Sequence, residues 1–85
     1  MAEPRTWKLE PQSELRFEVK REAATDAVLE LVSGTAEVAG VEMAPGKPYP
    51  LPRPSKGAVF TWYGCEVRTS GPFSSLYTSA DTPMV

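Results

Sequence analysis

From Glu14 to Lys20 apolar and polar residues alternate without a break. Leu15, Phe17 and Val19 fall on one side, and Glu14, Arg16, Glu18 and Lys20 on the other. A period of two over seven residues predicts a half-buried strand, and Pro11 keeps a helix from running into it. Arg21 to Val32 fits two periods. Ala23, Ala24, Ala27, Val28 and Leu31 match helical spacing, whereas Ala27, Leu29 and Leu31 match strand spacing. The β pattern on both sides decides for a turn at 21–26 and a strand at 27–32. Ser33-Gly34 is a turn signal. Thr35 to Ala39 then reads as a strand, Gly40 breaks or bends it, and Val41 to Ala44 resumes before the Pro45-Gly46 turn.

Five prolines follow between residues 45 and 54 (Pro45, Pro48, Pro50, Pro52 and Pro54). Proline cannot donate to a sheet ladder, so the stretch is expected to be an edge or a polyproline-like loop. Ala58 to Thr69 is the most strand-like run, with Gly64 expected as a bulge or bend within it. Ser70-Gly71-Pro72 turns the chain, and Phe73 to Ser79 reads as a last strand with Leu76 and Tyr77 as packing candidates. The expected fold class is therefore all-β: a small β-sandwich of six to eight short, mostly antiparallel strands. Residues 1–10 are expected to be a flexible N-terminal segment and 11–85 the sandwich. Asp81-Thr82-Pro83 reads as a domain exit, and the apolar end at Met84-Val85 as the mark of a truncation.

Composition narrows the chemistry. The chain has 85 residues, enough for one domain. A domain of this size buries only about 60–65% of the surface its unfolded chain exposes. The one cysteine, Cys65, cannot form an internal disulfide and fits a reducing compartment. The first residues lack the apolar core of a signal peptide. No stretch approaches the ~18 apolar residues of a membrane span, so no membrane partner is expected. A net charge of −2 argues against broad nucleic-acid binding, which needs clustered Lys and Arg. There is no histidine, and most enzyme classes go with it: general acid–base work near neutral pH and zinc ligation both draw on that side chain. Cys65 has no histidine to activate it and is expected to be a small buried hydrophobe. Gly40 to Lys47 fails as a phosphate loop, because five residues separate Gly40 from Gly46 and Pro48 follows Lys47. No catalytic residue and no metal ligand is assigned.

Several segments, in order and spacing, carry a resemblance to a known family. They are Ser13-Glu14-Leu15-Arg16-Phe17-Glu18-Val19, then Leu29-Glu30-Leu31-Val32-Ser33-Gly34-Thr35-Ala36-Glu37-Val38. Gly40-Val41-Glu42-Met43-Ala44, Val59-Phe60-Thr61-Trp62-Tyr63-Gly64-Cys65 and Asp81-Thr82-Pro83-Met84 follow. The resemblance covers roughly residues 9–85. The chain resembles the N-terminal domain of the kinase-like subunit of the mRNA cleavage and polyadenylation machinery, in the polynucleotide 5′-hydroxyl-kinase family. The sequence departs from that family at Tyr63, where the family usually has histidine, at Ala39, where an aromatic is usual, and at Gly40-Val41-Glu42-Met43. It departs again in the proline run 48–54, which stands where the family commonly has a regular strand.

The resemblance implies a β-sandwich followed by a central ATP-binding domain and a C-terminal domain that are not in these 85 residues. It implies that Glu14 and Lys56 contact the adenine of ATP, while the phosphates and magnesium are held by the central domain. It also implies a nuclear location, other cleavage and polyadenylation factor subunits as partners, and RNA as an indirect partner only. Kinase activity of the whole protein does not follow, since some members phosphorylate RNA and others only bind ATP. On the residues alone, Glu14 and Lys56 read as solvated surface side chains. Of Trp62 and Tyr63, which could form a stacking platform, Trp62 is expected in the core. The alternative reading is a stand-alone interaction module that uses the proline-rich loop 45–54.

Overall fold

The computed structural model describes residues 4–80. The reading of Asp81 to Val85 as an exit and truncation lies outside the described residues. Among the described residues nine strands form: β1 (Arg5–Leu9), β2 (Ser13–Val19), β3 (Ala27–Gly34), β4 (Glu37–Val38), β5 (Val41–Glu42), β6 (Pro48–Leu51), β7 (Ser55–Thr61), β8 (Cys65–Ser70) and β9 (Ser75–Ala80). They make two antiparallel sheets, one ordered β1-β8-β3-β6 and the other β5-β4-β7-β2-β9. Only β4 and β5 are neighbours both in sequence and in a sheet. At each of the remaining steps the chain crosses from one sheet to the other.

The alternation in the sequence sets which face is buried. In β2, Ser13, Leu15, Phe17 and Val19 point inward. Leu29 and Leu31 from β3, Val59 from β7 and Val67 from β8 meet Leu15 and Phe17 in one core, and all but Phe17 are fully buried. The two inner faces thus interlock as in sheet-on-sheet packing. Phe73 lies edge-on to Phe17 at 6.4 Å between ring centroids and closes the core near the last strand.

Several expectations need correction. The segment 1–10 was expected to be flexible, yet Arg5–Leu9 is a paired edge strand, with Leu9 in the core and Trp7 packed against it. The Trp7 Nε1–H donates to Thr69 Oγ1 at 3.1 Å, which ties β1 to β8. Its sequence signal is thin because an edge strand with one buried residue shows little alternation. The run Ala58–Thr69 is two strands in different sheets, not one strand with a bulge. Gly64, at φ +100°, belongs to the bend at which the chain changes sheets. Trp62 is exposed, not core. Val59 and Thr61 take the buried parity of β7, which sends Phe60 and Trp62 outward.

The proline-rich stretch resolves as an edge. Pro48–Leu51 pairs with β3, setting Pro50 opposite Val28 and Pro48 opposite Glu30. Tyr49 and Leu51 pack on the core between the prolines. Prolines at alternate positions leave the ladder donors of Tyr49 and Leu51 intact and remove donors only from the open edge.

Candidate functional site

Glu14 and Lys56 lie on adjacent strands of the five-stranded sheet. Glu14 sits opposite Phe60, and Lys56 opposite Glu18. Directly opposed residues of an antiparallel pair share a face, so Glu14, Arg16, Glu18, Lys56 and Ala58 all project from the outer surface. Both sequence-derived candidates line a single open groove of about 370 Å³ on that surface. They are not in contact, for Glu14 and Glu18 are four residues apart, roughly 13 Å along a strand.

The outward parity of β2 that Glu14 follows also carries the residues between the two candidates. Arg16 lies between Glu14 and Glu18, and its Nε–H donates to Glu14 Oε1 at 2.5 Å. This bond, followed by one to Tyr77, raises the Arg16 pKa further above its ordinary value, so the guanidinium is a fixed positive charge. Arg16 thereby holds the Glu14 carboxylate in place and leaves Oε2 for a second donor. Tyr77 stands opposite Arg16 on β9 and is half exposed. It walls the groove and does not pack in the core as expected, whereas its neighbour Leu76 does pack there. Sequence reasoning named neither Arg16 nor Tyr77 for the site. The outward parity of β2 would have found the first, and the second needs the β2–β9 register.

Lys56 begins the outward set of β7 and is exposed. Among the described residues it forms no ion pair. Glu18 opposite it lines the same groove. Gly57 between Lys56 and Ala58 points inward, where a Cβ would stand 3.1 Å from the tip of Phe17. The groove therefore offers one oriented carboxylate, a charge-fixed guanidinium, a tyrosine and an ammonium over a floor of small residues. That set can hydrogen-bond a planar polar ligand at its edges.

Cys65 is buried and free, as expected. Burial raises its thiol pKa above the ordinary value, an effect partly opposed by a hydrogen bond with Thr61. Among the described residues no group of three or more Cys, Asp or Glu is placed to hold a metal ion, and no helix is long and apolar enough to cross a membrane.

Residues 8–85 match the family model described as the N-terminal beta-sandwich domain of polyadenylation factor. The chain belongs to that family. Among its relatives, the protein CLP1 homolog of Nematostella vectensis is 46% identical over 83 residues, covering 98% of this chain and 19% of the relative. The human polyribonucleotide 5′-hydroxyl-kinase Clp1 is 46% identical over 79 residues, covering 93% of this chain and 18% of the relative. The mRNA cleavage and polyadenylation factor CLP1 of Laccaria bicolor is 44% identical over 82 residues, covering 96% and 16%. The chain thus spans under a fifth of the length of these relatives. A solved structure that describes an extended interface between Pcf11p and Clp1p, and the basis of ATP loss in a point mutant, superposes with a TM-score of 0.73. It is 16% identical, and the match covers 94% of this chain and 19% of that one. A wild-type Clp1p–Pcf11p complex gives 0.72 at the same identity, covering 92% and 18%. At that identity the likeness is one of fold, and it agrees with the two-sheet sandwich.

Proposed function

We propose that this domain is an accessory part of an ATP-binding subunit of the pre-mRNA 3′-end cleavage and polyadenylation machinery, and that it supplies the adenine contacts. One observation carries the reading: Glu14 and Lys56 line the same outer groove, with Arg16 and Tyr77 between and beside them. The reach of a glutamate and a lysine side chain narrows their separation to about the size of a planar base. Glu14 Oε2 accepts a hydrogen bond from the adenine 6-amino group, and guanine, with an acceptor at that position, is disfavoured. Lys56 donates to a ring nitrogen or stands over the base.

The phosphates and magnesium are held by a central domain of the longer protein, which packs against this one. The nucleus as location, other subunits of the machinery as partners and RNA as an indirect partner belong to the same proposal. It rests on the names of the relatives together with the family match.

Isothermal titration tests it. The 85-residue chain alone is expected to show no ATP binding at micromolar concentrations. In the longer protein, Glu14→Ala is expected to weaken ATP by about tenfold to a hundredfold, the equivalent of about 1.5–3 kcal/mol for a desolvated charge-assisted bond. It should also narrow the preference for ATP over GTP. Micromolar ATP binding by the isolated chain would count against the proposal. So would an unchanged ATP affinity in the Glu14→Ala protein.

A further inference from the structure

At the bend between β7 and β8 the chain displays its most exposed aromatic residues. Tyr63 is 84% exposed and Trp62 57%. Trp62 stands edge-on to Phe60, with ring centroids 4.8 Å apart and planes at 84°. The backbone that carries them is closely tied. The Thr61 hydroxyl, fully buried beneath them, donates to the Thr35 carbonyl at 2.6 Å and accepts from the Gly64 N–H at 2.9 Å. Gly34 lies so close behind the bend that a Cβ there would fall 2.4 Å from the Gly64 carbonyl oxygen. Aromatic side chains on a fixed backbone have few torsions to immobilise on binding, and tryptophan and tyrosine are over-represented among residues that dominate interfaces.

The surroundings state what kind of guest fits. Register puts Glu37 opposite Phe60 and Glu42 opposite Glu37, so two carboxylates face each other across β4 and β5 beside the rings. Like charges directly opposed on a sheet are unfavourable. Among the described residues no lysine or arginine pairs with either. The same residues, Glu37, Glu42, Phe60, Trp62 and Tyr63, line one shallow cavity of about 270 Å³. A cation seated there relieves the repulsion and meets an aromatic face. A phosphate backbone meets two negative charges and is disfavoured.

We propose that this acidic, aromatic surface docks a protein segment presenting an arginine or lysine beside an apolar side chain. The surface adjoins the Glu14 groove across Phe60, but its occupancy requires no nucleotide.

The test uses the 85-residue chain without ATP. Nitrogen–proton spectra are recorded while titrating a blocked arginine–leucine–arginine peptide, its glutamate counterpart, and oligouridylate. The expected result is a saturable shift of the Trp62 indole N–H with the arginine peptide alone, while the Trp7 indole stays fixed. Glu37→Gln with Glu42→Gln should weaken that binding about tenfold or more and, by removing the opposed charges, raise the Tm by about 2–4 °C. In Trp62→Ala the arginine peptide should no longer shift the Tyr63 and Gly64 backbone amides saturably, as it does in the parent. The proposal is overturned by a Trp62 indole that does not move at millimolar peptide, by equal response to the glutamate peptide, or by preferential binding of oligouridylate. A fall in Tm for the Gln pair would assign the carboxylates to the fold and overturn it too.

Discussion

Cys65 shows how a single side chain here is governed by its surroundings. It is buried at the start of β8, and burial raises its thiol pKa. Thiolate, not thiol, is the reactive form. At pH 8 a disulfide reagent such as dithionitrobenzoate is therefore expected to modify the folded chain at least about tenfold more slowly than the urea-unfolded chain. The linkage has a definite sign. The folded state holds the proton more tightly than the unfolded one, so the contribution to stability is complete below the ordinary thiol pKa. It is lost as the pH rises from there, about 8.5, through the elevated folded value. The Tm of the parent should fall more steeply over that window than the Tm of Cys65→Ala. The Cys65 environment was legible in the sequence, because the absence of histidine left a small apolar role. Trp62 was not. An exposed aromatic at a binding surface has the same composition as a core residue, and only the buried parity of Val59 and Thr61 tells them apart.

Among the elements, β2 was the most readable and β1 the least, for the same reason. A central strand with one buried face imposes its period on every residue, while an edge strand can be held by a few. Trp7 and Leu9 do that for β1, and polar neighbours hide them. The groove was half legible. Parity put Glu14 on an outer face, but the positions of Lys56 and Tyr77 relative to it depend on strand pairings that no local pattern reports. The family resemblance, not the periodicity, singled out Glu14 and Lys56. Strand β6 carries a prediction of its own. Its prolines withhold donors from the open side of the sheet, a common defence against strand-to-strand association. Pro48→Val with Pro50→Val restores those donors next to Tyr49 and Leu51. Concentration-dependent light scattering should detect self-association in this variant under conditions where the parent stays monomeric. A variant that also stays monomeric would remove the defensive role.

The whole molecule works with a small margin. At roughly 0.05–0.15 kcal/mol per residue, a chain of this size has about 4–13 kcal/mol of stability. Leu29 is fully buried at the centre of the single core. Leu29→Ala is expected to cost about 2–5 kcal/mol, a large share of that total. Urea denaturation followed by far-ultraviolet circular dichroism should show the midpoint falling by more than about 1 M, or no folded baseline at all. A midpoint within experimental error of the parent would mean that the two sheets do not depend on this contact. That the chain makes two sheets could be inferred from its many short strands. Which strand joins which sheet could not, since consecutive strands usually part company.

That crossing pattern has a consequence for synthesis. As the polypeptide leaves the ribosome, β1 has no neighbour until β8 emerges, β2 waits for β7, and β3 waits for β6 and then β8. A nascent chain cut off before the bend at Trp62 therefore lacks the strand that joins β1 to β3, and its apolar residues stay without partners until about residue 70 is free.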